Sequence, residues 1–205
     1  MKSNLTEIIF LLDRSGSMSG LESDTIGGFN AFIEKQCQLE GEVSLTTVLF
    51  DDQYELLWNG IDATKAKLTK KEYYVRGMTA LLDAIGKTIS DVDHRLSKTL
   101  EERKPNKVIF VITTDGMENA SREFTYEKIK NRIKHQEENH NWEFIFIGAN
   151  IDAAKEADNM GIHVSNSFSF VASEAGVESM YEMVNENVAS RRKNKIYHIK
   201  NNRDE

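Results

Sequence analysis

Five residues in three separate segments carry side-chain oxygens in a pattern that suits a hard divalent cation. Asp13, Ser15 and Ser17 stand at alternate positions in Asp13-Arg14-Ser15-Gly16-Ser17-Met18, Thr79 follows Gly77-Met78, and Asp115 lies within Thr114-Asp115-Gly116. All five are oxygen donors, and an oxygen-only set with few carboxylates suits Mg²⁺ or Mn²⁺, an ion that takes about six ligands and keeps several as water. Alternate spacing lets one turning loop aim three side chains at a common point. Two carboxylates balance a divalent charge, while neutral hydroxyls donate weakly and leave the ion electrophilic toward a further ligand.

These residues need elements that bring them to one place. Ile8-Ile9-Phe10-Leu11-Leu12 is an unbroken apolar run that reads as a strand buried on both faces and stops at Asp13. Leu21, Thr25, Ile26, Phe29, Phe32 and Ile33 then recur at helical spacing. A second buried run, Val108 to Ile112, stops at Thr113-Thr114-Asp115. Both acidic residues therefore end central strands, the edge at which open α/β sheets bind ligands.

Other elements fill in around these. Val43–Phe50 and Tyr54–Trp58 read as strands joined by a tight turn at Asp51-Asp52-Gln53, which makes one of them an antiparallel edge strand. Residues 61–78 have a weak pattern and read as a surface crossover. Thr79 starts a helix expected to end near Lys104, before Pro105. Further helices are predicted over Tyr126–His140, Ile151–Asn159 and Ser173–Arg191, and strands over Glu143–Ile147 and Ile162–Val164. This alternation predicts an α/β fold: a doubly wound, mostly parallel sheet with one antiparallel edge strand and helices on both faces. A single domain over residues 1–192 with a polar tail over 193–205 is expected, Ile196, Tyr197 and Ile199 being the tail residues able to tie it down.

Asp13-x-Ser15-x-Ser17, Gly77-Met78-Thr79 and Thr114-Asp115-Gly116, in that order, resemble the three segments of the von Willebrand factor A (vWA) domain that form its metal-ion-dependent adhesion site. The resemblance spans roughly residues 5–190 and all five ligand positions have the family's residue type. It implies a Rossmann-like sheet. It also implies that Ser15 and Ser17 ligate the metal directly, that Thr79 does so directly or through water, and that Asp13 and Asp115 act directly or, more often, through water. The implied function is a divalent-metal-dependent protein-binding module, free-standing and intracellular, in which bound Mg²⁺ or Mn²⁺ accepts an Asp or Glu carboxylate from a partner protein. No catalytic residue is implied.

The remaining composition narrows the field. Twenty-six Lys and Arg against 33 Asp and Glu leave a formal charge of −7, which argues against a general binder of nucleic acid or anionic membrane. Cys37 is the only cysteine, so no intrachain disulfide can form and a reducing, cytoplasmic setting is expected. The competing function is a metal-dependent phosphohydrolase or phosphotransferase using Asp13 as nucleophile. Against it, Ser15 stands where a second carboxylate would do acid–base work, and no lysine lies in a matching loop. A phosphate-cradling loop is also missing, since neither G-x-G-x-x-G nor G-x-x-x-x-G-K-[ST] occurs.

Taken one at a time, these residues have plainer uses. Ser15, Ser17 and Thr79 could cap helices, as Ser19 is expected to do. Asp51 and Asp52 read as a solvated turn, and Glu118, Asn119 and Asn150 as exposed loop polarity. The five histidines show no ligand-like grouping and are expected at the surface. Trp58, Trp142, Phe144 and Phe146 read as core or edge aromatics.

Overall fold

The computed structural model describes residues 4–193, which form one six-stranded sheet with helices on both faces. The strands are β1 (Leu5–Asp13), β2 (Glu42–Phe50), β3 (Tyr54–Asp62), β4 (Lys107–Thr114), β5 (Glu143–Ala149) and β6 (Ser167–Phe170). The helices are α1 (Glu22–Cys37), α2 (Leu81–Ser97), α3 (Tyr126–His140), α4 (Ala153–Met160) and α5 (Glu174–Lys193). Spatial order is β3-β2-β1-β4-β5-β6, parallel throughout except for the β2–β3 pair.

The sheet is built outward from its most apolar strand. Ile8 to Leu12 are at most 1% exposed, because side chains alternate between two cores. Ile9 and Leu11 face α2, α3 and α4; Ile8, Phe10 and Leu12 face α1 and α5, where Val177, Met180, Tyr181, Val184 and Val188 form the buried stripe of α5. Each fully buried aliphatic side chain in this position contributes about 1.5–3 kcal/mol. Trp142, Phe144 and Phe146 are core residues and Trp58 packs against the α1 side, as expected.

This strand order fixes where a ligand can go. From β1 the chain fills one side of the sheet with β2 and β3, then crosses to β4 and fills the other with β5 and β6. The loops after β1 and β4 therefore leave adjacent strands in opposite directions, which opens a crevice at their carboxyl ends.

Several expected boundaries move. The helix that was to reach Lys104 ends at Ser97, where Ser97 Oγ and Thr99 Oγ1 donate to the His94 and Arg95 carbonyls and compete with helix continuation. Residues 162–164 are not a strand; the sixth strand is Ser167–Phe170, whose period-2 Ser-Phe-Ser-Phe alternation is the signal for it. Ser19 does not cap α1, whose first turn follows Leu21 without a side-chain cap. Residues 61–78 are not merely a surface crossover, because Ala63, Leu68 and Tyr73 are each 1% exposed. Lys193 still belongs to α5, while the rest of the expected tail, with Ile196, Tyr197 and Ile199, lies outside the described residues.

Candidate metal centre

Asp13 is the last residue of β1 and Asp115 follows the last residue of the adjacent β4, so parallel pairing alone places them side by side. Both are buried, at 1% and 3% exposure. Asp13 Oδ1 accepts the Ser15 amide at 2.7 Å and Oδ2 accepts Thr114 Oγ1 at 2.5 Å. Asp115 Oδ1 accepts Ser17 Oγ at 2.6 Å, and its Oδ2 is buried with no hydrogen-bond partner among the described residues. The Ser15 and Ser17 hydroxyls lie 3.1 Å apart.

Gly116 shows how closely the hydroxyls converge. A Cβ added there would lie 3.0 Å from Thr79 Oγ1, 3.2 Å from Ser17 Oγ and 3.8 Å from Ser15 Oγ. Three hydroxyls from two segments thus surround one small space that a side chain would fill. The structure brings all five expected residues together at this point.

The electrostatics of the cluster are one-sided. Burial is the main cause that pushes the Asp13 carboxyl from its ordinary 3.8 up to about 6, hydrogen bonds from Ser15 and Thr114 opposing it and the nearby Asp115 adding to it. Burial also raises Asp115, against the Ser17 hydrogen bond. Among the described residues no Lys, Arg or His forms an ion pair with either carboxylate. Two buried acids, one orphaned oxygen, and hydroxyls around a common space suit a hard cation.

The frame around the cluster is more extensive than its residue types suggest. Arg14, between two candidate ligands, is fully buried and donates to Asp51 (Nε, 3.0 Å) and Glu55 (Nη1, 2.7 Å). Asp51 also accepts Arg76 Nε at 2.7 Å and the Gln53 amide at 2.6 Å. Asp51 is therefore not a solvated turn residue: it is 0% exposed and lies between two guanidiniums, while Asp52 beside it is exposed. Its carbonyl accepts the Ala80 amide at 2.8 Å, and Arg76 N–H donates to the Arg14 carbonyl at 2.9 Å. Gly77 completes the tie. Its φ is +68°, its carbonyl accepts the Gly16 amide at 3.1 Å, and a Cβ there would meet Asp52 Oδ1 at 2.1 Å. Tyr73, buried in the same segment, donates its hydroxyl to the Asp13 carbonyl at 2.7 Å.

Thr79 is held just ahead of α2 rather than in it, and the loop after β4 holds it there. Its amide donates to Asn119 Oδ1 at 2.9 Å, and its carbonyl accepts the Asn119 and Ala120 amides. Glu118 accepts the Leu82 amide at 2.9 Å, serving as the acid at the start of α2, and also accepts the Ala120 and Ser121 amides. Glu118 and Asn119 are therefore brackets between two loops rather than loose loop polarity. Asn150 is exposed, as expected, and so are the four described histidines.

The sequence matches no protein-family model and no curated protein. Solved structures do match it. The vWF domain of the type V pili tip protein Mfa5 from Porphyromonas gingivalis aligns with a TM-score of 0.69 at 10% identity, covering 95% of this chain and 98% of that one. Proximal thread matrix protein 1 from the mussel byssus, with a zinc-occupied MIDAS motif, aligns at 0.61 and 15% identity over 92% of this chain. This chain spans about half the length of that protein, 47%. The manganese-loaded TRAP protein of Plasmodium vivax aligns at 0.54 and 18% identity over 72% of this chain and 58% of that one. The fold is that of vWA domains, and at these identities the likeness is one of fold.

Proposed function

We propose that Asp13, Ser15, Ser17, Thr79 and Asp115 hold a divalent cation, Mg²⁺ or Mn²⁺, and that the protein is a metal-dependent binding module for a carboxylate-bearing protein partner. The observation that carries this reading is the pair of buried acids with no Lys, Arg or His paired to them among the described residues. Ser15, Ser17 and Thr79 would donate hydroxyl oxygens. Asp13, with both oxygens already accepting hydrogen bonds, would orient water on the ion, and Asp115 offers its unpartnered Oδ2. When bound, the ion supplies a Lewis-acidic position for an Asp or Glu carboxylate. The zinc- and manganese-bearing vWA neighbours support divalent metal use at such a site.

Asp13 is a poor nucleophile for a phosphohydrolase, since it is 1% exposed and each of its oxygens is already held by a protein donor. We read the module as having no chemistry of its own. The neighbours give no support for the cytoplasm, since one is a pilus tip protein and another belongs to a byssus thread. An intracellular setting therefore rests on the single cysteine, Cys37. No helix among the described residues is long and apolar enough to cross a membrane.

Thermal unfolding of the chelator-treated full chain tests the site. Mg²⁺ or Mn²⁺ at saturation is expected to raise Tm, a hundredfold excess over Kd corresponding to about 2.7 kcal/mol. Ser15→Ala combined with Ser17→Ala is expected to remove the shift; a shift that survives the double substitution overturns the assignment.

A further inference from the structure

At the amino edge of the sheet, the far end from the candidate metal centre, an apolar knob and an open cleft lie side by side. α2 stops at Ser97, and the chain reaches β4 through a short helical turn over Glu101–Arg103 and then Pro105. Leu100, at the head of that turn, is 60% exposed. Its backbone is fixed. The Leu100 carbonyl accepts the Arg103 amide at 2.8 Å, and Thr99 donates its amide to the Leu96 carbonyl and its hydroxyl to the Arg95 carbonyl. A lone exposed leucine is ordinary on a protein surface. This one stands next to a space of matching size.

That space is a cavity of about 160 Å³. Leu96, Pro105, Val108 and Trp142 give it apolar walls, with the exposed Ser97 and His140 among the polar groups around them. Asn141, left-handed at φ 53°, ends α3, and Trp142 after it stacks on Phe110 with ring centroids 5.3 Å apart, so the Trp142 wall is rigid. A cavity of about 150 Å³ holds a benzene ring, so this one has room for the four-carbon side chain of leucine. Leu100 does not line the cavity of its own chain.

We infer that this edge is the interface of a symmetric homodimer, in which Leu100 of each copy enters the cavity of the other. A two-fold interface needs one patch that carries both halves of the fit, and residues 96–108 carry the knob and most of the cavity wall. Charge points to the same occupant. The chain as a whole is at −7, so two copies repel over most of their surface. The loop around Leu100 is of mixed sign, with Lys98, Arg103 and Lys104 beside Glu101 and Glu102. Lys98, Glu102 and Arg103 are exposed and form no ion pair among the described residues. A partner of a single charge sign would meet like charge on part of this loop, whereas across a two-fold axis the acids of one copy face the bases of the other. Pairing through the amino edges leaves the two carboxyl edges at opposite ends of the dimer, which gives it two binding ends and the avidity that follows.

Sedimentation equilibrium of the full chain in chelator tests this without reference to the metal. At about 200 μM the native chain is expected to sediment near twice the chain mass and to dissociate on dilution. Leu100→Asp is expected to weaken the dimer about a hundredfold, a tenfold loss counted at each of two equivalent contacts, with Tm unchanged. Ser97→Phe, which fills the cavity from an exposed position and leaves Leu100 intact, is expected to do the same. Glu101→Lys with Glu102→Lys, and Lys98→Glu with Arg103→Glu, are each expected to be monomeric alone and to pair when mixed. A native chain that stays monomeric at about 200 μM overturns the proposal, whatever else fills the cavity. A dimer that resists Leu100→Asp or Ser97→Phe overturns this surface as its interface, and charge variants that dimerise alone as tightly as the native chain overturn the charge pairing that selects a second copy.

Discussion

Asp13 and Asp51 end neighbouring parallel strands or their turns, are equally buried, and are treated in opposite ways. Asp51 is held between Arg14 and Arg76, so its charge is balanced within the protein. Asp13, joined by Asp115, receives hydroxyls and an amide but no basic side chain among the described residues. Arg14 sits next to Asp13 in sequence and directs its guanidinium to Asp51. The chain thus has the means to neutralise a buried acid and applies it to the frame and not to the centre.

The largest expected effect separates frame from centre. Arg14→Met leaves a buried network broken on one side and is expected to cost about 3–5 kcal/mol in urea unfolding, with or without metal. Asp13→Asn is expected to leave the chelator-treated protein as stable as before, or more so, and to abolish the metal response. If the two substitutions behaved alike, the distinction between frame and centre would fail.

The pH dependence of the metal-free protein follows from the same contrast. The folded carboxyl of Asp13 titrates near 6 against 3.8 when exposed. The folded state therefore binds more protons across that window, and its stability falls as pH rises through it, by roughly 3 kcal/mol in total. Asp115, shifted in the same direction by burial, adds to the fall. Asp13→Asn should flatten the profile, and saturating metal should counteract it; unfolding free energies from pH 4 to 7 in chelator decide the matter.

Gly116→Ala tests the space among the hydroxyls. The new methyl meets Thr79 Oγ1 and Ser17 Oγ within 3.2 Å, so the metal-induced Tm shift should be lost while overpacking costs about 1–2 kcal/mol. The smallest effect is at the bracket. Glu118→Ala removes the acid from the start of α2 and is expected to cost about 1 kcal/mol, and to weaken metal affinity by loosening Thr79.

Much of this arrangement could be read from residue order alone. Apolar runs ending in Asp13 and before Asp115 mark buried strands whose carboxyl ends must meet once they pair in parallel. The alternation of strand and helix does the rest. What escaped was whatever depends on a partner distant in sequence. Asp51 looks like any turn aspartate until Arg14 and Arg76 reach it, 37 and 25 residues away. Tyr73 sits in a lysine-rich stretch, and its burial comes from packing in the core on the α1 and α5 side and from its bond to the Asp13 carbonyl. Glu118 and Asn119 gain their roles from Leu82 of α2 and from Thr79 just before it, some 36 to 40 residues back. Local pattern has no access to such pairings.

The bonds across the centre join distant parts of the chain. Ser17 to Asp115 and Thr114 to Asp13 close loops of 98 and 101 residues. Closing loops of that length is entropically slow and is rewarded only when β1 and β4 are already aligned. No turn or hairpin can assemble the oxygen cluster by itself during refolding. Its appearance requires β1 and β4 to be paired, so uptake of the proposed cation would report that pairing during refolding.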